Sequence, residues 1–158
     1  MKLIKYAFEF IIIIFLFLIF KIVGLEISRN ISGFIFKNFG SFFRSMKTSR
    51  ANLSIAFPNF NEMQKDKTLH NMWINYGKVF AEYMFIKKFR VSKKFSSQII
   101  IENQDELERI RSSNKPVIFI SGHFNNFELM AMHLEKSGIE LAAIYRPLNN
   151  LFLNPIME

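Results

Sequence analysis

An unbroken apolar run from Phe10 to Phe20 is the feature this chain must fold around, because eleven such side chains in a row strongly resist exposure to water. Alone the run is too short to cross a bilayer, which takes roughly 20 residues. Extended from Ala7 to Leu25 it reaches 19 residues and takes in Glu9 and Lys21. Both lie near the ends, where long charged side chains reach the headgroups. Lys2 and Lys5 ahead of an apolar core also describe a secretory signal peptide. No small-x-small cleavage site follows, so an uncleaved anchor over residues 1–28 is the better reading. Cations are more numerous after the run (Lys21, Arg29, Lys37, Arg44, Lys47 and Arg50) than before it. That asymmetry predicts a single pass with the globular part on the cytoplasmic side.

Residues 29–60 form a second membrane-directed segment. From Ile31 to Lys47 the apolar residues Ile31, Phe34, Ile35, Phe39, Phe42, Phe43 and Met46 recur in steps of three and four, which predicts one helical stripe. Ser32, Lys37, Asn38, Ser41, Arg44 and Ser45 take the other face. Such a helix can lie in the membrane interface with its phenylalanines among acyl chains, or it can pack on a protein core; the pattern allows both.

A net charge of +8 and 20 phenylalanines suit either an anionic membrane surface or nucleic acid. So much of the apolar content lies in the first 46 residues that membrane is favoured, and no nucleic-acid partner is expected. Cysteine is absent, which excludes disulfides and thiolate metal sites. The three histidines have no zinc-site spacing, so no metal is expected.

Residues 61–158 read as a domain of alternating helices and strands. Asn61 with Gln64 three residues on suggests a capping box, opening a helix to about Lys87. Its stripe of Leu69, Met72, Trp73, Tyr76, Val79, Phe80, Tyr83 and Met84 is most simply core, with His70 beside it and exposed. Strands are then expected at Gln98–Ile101, Pro116–Ser121 and Leu141–Tyr145, with helices at Asp105–Arg111 and Asn125–Ser137, the latter stopped by Gly138. Another helix begins at Asn154. The pattern predicts an α/β fold, a partial parallel sheet with crossover helices. Three strands leave an edge bare, so the chain reads as the front part of a longer protein.

In such a sheet the C-terminal strand ends share one side, where ligands bind. His123 follows the second strand in Ser121-Gly122-His123-Phe124-Asn125-Asn126-Phe127-Glu128, and Arg146 follows the third. A histidine held by a carboxylate can take a proton from a hydroxyl near neutral pH. On one continuous helix positions five apart lie about 140° apart and would not meet. They can meet if His123 sits in a loop, which Gly122 and the Asn pair favour, and Glu128 sits in the first helical turn. The helix N-terminus adds free N–H groups, among them those of Asn125 and Asn126, with partial positive charge. A base, a cation and an anion-friendly helix end suit acyl transfer to a hydroxyl of an anionic substrate. Ser121 lacks a nucleophile-elbow sequence and is a poor nucleophile candidate.

Gly122-His123-Phe124-x-x-Phe127-Glu128, followed by Tyr145-Arg146-Pro147-Leu148-x-Asn150, resembles the late acyltransferases of lipid A biosynthesis, of the lauroyl/myristoyl type, within the lysophospholipid acyltransferase-like superfamily. The order upstream is similar too: an anchor, then Arg50-Ala51-Asn52-Leu53 and Phe57-Pro58, then a helix with Trp73 and Gly77. The resemblance implies transfer of a fatty acyl group from acyl carrier protein to a hydroxyl of a lipid A precursor at the cytoplasmic face of an inner membrane. No cofactor beyond the acyl donor is implied. By position it makes His123 the general base and Glu128 its partner. It gives Arg146 to an anionic substrate group and Asn150, more weakly, to substrate binding. Asn125 and Asn126 are candidate donors to the oxyanion. The family's second half, with further strands, an Asp-Gln block and a Phe-Gly turn, has no counterpart here. Two rivals stay open: a glycerolipid acyltransferase of the same superfamily, which usually carries His-x4-Asp, and an inactive membrane-bound remnant.

Overall fold

The fold was obtained as a computed structural model that describes residues 2–42, 44–144 and 146–157. Phe43 of the expected apolar stripe and Tyr145 at the end of the third expected strand lie outside the described residues. The first helix, α1 (Lys2–Val23), has 22 residues and is apolar over most of its length. At 1.5 Å per residue it is about 33 Å long, and it is long and apolar enough to cross a bilayer. It ends at Gly24, whose φ of 82° lies in the region that favours glycine. Ile4, Phe8, Ile11, Phe15, Leu18 and Ile22 make an exposed stripe along it. By packing, the chain divides into two units, Phe15–Met84 and Met1–Ile14 with Phe85–Glu158.

The unit Phe15–Met84 is built on a close crossing of α2 (Leu25–Phe39) and α4 (Glu62–Tyr83). The buried face of α2 is Leu25, Ser28, Ser32 and Gly33, while Phe34 and Phe39 stay exposed. Small residues carry the contact because they let the backbones approach: a Cβ on Gly77 would overlap the Ser32 carbonyl and lie 2.8 Å from the Gly33 Cα. Likewise the Trp73 ring covers Gly40, where a Cβ has no room. Phe17 and Phe36 each lie 5.5 Å from the Phe80 ring, and Phe20, fully buried, meets it edge-on at 6.4 Å. Arg29 Nε donates to Glu82 across the crossing at 2.8 Å. A short helix, α3 (Met46–Ala56), is clasped to α4 by Arg50, which pairs with Glu62 at 2.6 Å and with Asp66. The capping box is formed in full: Gln64 N–H donates to the Asn61 side chain, and Asn61 N–H to that of Gln64, both at 2.9 Å. His70 is exposed.

The helix from Asn61 stops at Tyr83 and not near Lys87. Phe85 leaves the helical path and buries its ring with those of Phe89 and Phe95. In this second unit α5 (Ile86–Val91), α6 (Lys93–Ser96), α7 (Gln104–Ser113), α8 (Glu128–Lys136) and α9 (Asn154–Met157) follow in order. Arg90 pairs with Glu135, and Lys136 Nζ donates to the Arg90 carbonyl at 2.8 Å, tying α5 to α8. Gly138, at φ 80°, stops α8 as expected. Its N–H reaches the Glu135 carbonyl and the Ile139 N–H reaches that of Leu134, a Schellman pair.

The α/β expectation is corrected: among the described residues there is no strand and no sheet. The segments read as strands, 98–101, 116–121 and 141–144, lack strand pairing. The latter two flank a groove of about 940 Å3 floored by Met130, Ala131 and Leu134 of α8. The physical reason is that a helix satisfies its backbone within its own sequence, whereas a strand needs a distant neighbour and a covered face. Ile118 and Ile120, which share a face, are 87% and 93% exposed, so that face of the central segment is not covered.

Candidate active site

All the expected site residues fall in the second unit. His123 lies in the loop ahead of α8, as its sequence context predicts, and is exposed. The Phe124 N–H donates to the Gly122 carbonyl at 2.8 Å, a three-residue turn with His123 at its apex. A Cβ at Gly122 would meet the exposed Phe124 ring at 2.7 Å, and that ring would have to swing aside. Asn125 follows with φ 51°, a left-handed conformation that asparagine tolerates. Asn126 is buried and its carbonyl accepts from Leu129 N–H at 3.2 Å. The helix therefore begins at Glu128, three residues later than the sequence suggests, with Phe127 as its N-cap. The N–H groups of Asn125 and Asn126 belong to the turn and not to the helix end.

Glu128 is half-buried in the first turn of α8, where its charge complements the helix dipole. Among the described residues no hydrogen bond or ion pair joins it to His123. The neighbour of the imidazole is instead Phe127, edge-on with centroids 4.4 Å apart. Phe127 belongs to the sequence motif, but its position there gives no sign of a contact with the imidazole.

Arg146 is exposed and, among the described residues, makes no ion pair. Asn150 differs sharply: it is 6% exposed, and its amide donates to the Tyr6 carbonyl at 3.0 Å and to Glu9 Oε2 at 3.2 Å. Its oxygen accepts from the Phe152 N–H at 3.1 Å. The amide is thus committed within the protein, and a bond to substrate would have to displace one of these. Glu9, expected to snorkel, is also 3.6 Å from Lys5. A carboxylate inside an apolar helix was the sign that a partner would be needed. Two grooves lie away from His123: the one flanked by residues 116–119 and 140–143, and one of about 510 Å3 lined by Ile101, Arg111, His133 and Lys136 among others.

His123 thus stands at the apex of an exposed turn, Glu128 opens the next helix and Arg146 lies exposed on a later loop, with no hydrogen bond or ion pair joining the three among the described residues. Comparisons with known proteins bear on the family of the chain. A protein of Shigella flexneri named lipid A biosynthesis acyltransferase 2 is 25% identical over 107 residues, which cover 68% of this chain and 34% of the relative. The matched part of the chain thus spans about a third of that relative's length. No solved structure matches. Residues 1–158, the whole of the sequence, match the family described as bacterial lipid A biosynthesis acyltransferase, and the chain belongs to that family.

Proposed function

We propose that the protein acts in transfer of a fatty acyl group from acyl carrier protein to a hydroxyl of a lipid A precursor. His123 takes the proton of the acceptor hydroxyl as its oxygen attacks the thioester carbonyl. The new ester C–O bond forms, the C–S bond breaks, and the proton passes from the imidazole to the departing thiolate. Such base assistance is worth typically ~10²–10⁴-fold. Glu128 orients the imidazole through one ring nitrogen when substrate is present, a bond that free enzymes often form only in the complex. Backbone N–H groups at Asn125 or Asn126 hold the oxyanion, and Arg146 holds a phosphate or other anionic group of the acceptor. Helix α1 holds the protein at the inner membrane.

The observation that carries this reading is the exposed His123 turn, five residues ahead of Glu128, inside a chain that matches the family throughout. The test is His123→Ala. Acyl transfer from acyl carrier protein to a lipid A precursor should fall by about 10²-fold or more, with membrane association unchanged. Near-normal turnover in that variant would remove His123 as the base. A second reading, a membrane-bound protein that binds lipid without turnover, is favoured by the absence of a His123–Glu128 bond among the described residues. It requires that the unsubstituted chain also fail to transfer.

A further inference from the structure

We propose that Asn150 is a positioning residue, a latch by which helix α1 holds the Arg146 loop in place for an anionic lipid group. The proposal rests on the reading of Arg146 as the anion-binding cation. Its observations are independent of that reading and lie within one unit of the fold.

Tyr6 and Glu9 are three residues apart on α1, so they share one face of the helix. Asn150 meets both: one carboxamide nitrogen spans the Tyr6 carbonyl and the Glu9 carboxylate. The segment behind it is made compact by its own bonds. Leu148 N–H donates to Asn154 Oδ1 at 2.8 Å, and the Asn154 amide returns to the Leu148 carbonyl at 3.4 Å. The Phe152 ring closes the contact against Phe10 of α1, centroids 5.9 Å apart. Arg146 stands only four residues before Asn150, so the freedom of its loop ends where the latch begins. A carboxylate within an apolar helix is costly unless it is hydrogen-bonded, and Asn150 supplies a neutral donor to it. The apolar helix is thereby coupled to the loop carrying the free guanidinium. An anchor that merely tethered the protein would need no such bond.

The chain has no cysteine, so paired cysteines can be introduced on a clean background. In full-length protein in membranes, Glu9→Cys with Asn150→Cys should be joined by a short bismaleimide. Ile11→Cys with Asn150→Cys, on the opposite side of the helix, should not. Binding is then read on neutral-lipid vesicles carrying a phosphorylated lipid A precursor, against vesicles carrying its dephosphorylated form. Asn150→Asp, which sets two carboxylates against each other, should weaken binding to the phosphorylated vesicles by about tenfold and leave the dephosphorylated ones unchanged. Glu9→Gln combined with Asn150→Asp restores a donor–acceptor pair at Glu9 but leaves the Tyr6 carbonyl without its donor, so it should recover part of the loss. Absence of a selective cross-link overturns the latch. So does equal binding by Asn150→Asp and the unsubstituted protein, or failure of the double variant to recover. Because binding and not turnover is measured, a failure of His123 as the base leaves this outcome readable.

Discussion

The imidazole of His123 rests edge-on against the ring of Phe127, centroids 4.4 Å apart. Among the described residues no bond joins the imidazole to Glu128, so Phe127 is the side chain seen against it. Aromatic pairs of this kind prefer such a tilted geometry and resist rotation out of it. Phe127→Ala should therefore leave the imidazole unheld and lower the turnover number by about 10²-fold, the scale on which misplaced reacting groups lose rate. Steady-state kinetics should show KM for the acyl donor little changed. A variant with full turnover would mean that Phe127 does not orient the base.

Glu128 has two separable roles. As the first residue of α8 it favours the helix dipole, worth about 0.3–1 kcal/mol. In the proposed reaction it would also orient His123 once substrate is bound, and that role would matter far more to rate. Glu128→Gln keeps the side chain's size and removes its charge. Thermal unfolding should shift only by the helix-end amount, while acyl transfer falls by about 10²-fold. A stability change with no rate change would leave Glu128 as a helix-end residue alone.

The α2–α4 crossing makes a sharp contrast between two glycines. At Gly77 an added methyl overlaps the Ser32 backbone, which cannot yield, so Gly77→Ala should destabilise by about 1–3 kcal/mol. At Gly33 the nearest atoms, in Ile74, would sit at an ordinary 3.4 Å. Gly33→Ala should be neutral or gain up to about 1 kcal/mol from helix propensity. Denaturation of the two variants in detergent checks the pair. Equal stability would show that the helices are not in close contact at Gly77.

The clasp between α3 and α4 gives a pH dependence. The hydrogen bond and charge of Lys65, and then the charge of Arg50, hold the Glu62 carboxyl below the usual carboxylate range. A carboxyl with a folded value below its unfolded one stabilises fully above the unfolded value. The benefit is lost as pH falls through the folded value. Acidification through that window should loosen the α3–α4 contact, and added salt should weaken it at neutral pH because the pair is exposed. Glu62→Gln should flatten this acid limb of a melting-temperature profile. An unchanged limb would assign the acid sensitivity to other carboxylates.

Local chemistry explains which features were legible in advance. The Asn61–Gln64 box, the Gly138 stop and the start of a helix at Asn154 each follow from residues within a few positions of one another. The histidine's place in a loop before a helix was readable for the same reason. Less legible was α2. Its phenylalanine stripe predicts either an interface or a core face, yet the face that packs is the small one, Ser28, Ser32 and Gly33. Hydropathy ranks side chains by transfer from water and does not register how closely two backbones can approach. The partner of Asn150 was also hidden, since Glu9 lies 141 positions away in sequence.

Residue order by itself determined the apolar first helix, the punctuation of the helices and the motif that places the chain in its family. These depend on side chains within a few turns of each other or on composition along a single element. Tertiary structure alone decided that the described residues of the segments at 98–101, 116–121 and 141–144 would not pair into a sheet, and that α2 would meet α4 through glycine and serine. It also decided that Asn150 would grip Glu9. In each case the governing quantity is a distance between residues far apart in the chain: a strand needs a neighbour at hydrogen-bonding separation, a helix crossing needs room, and a buried amide needs a partner. Periodicity can nominate residues for such meetings, but only the folded backbone brings them together.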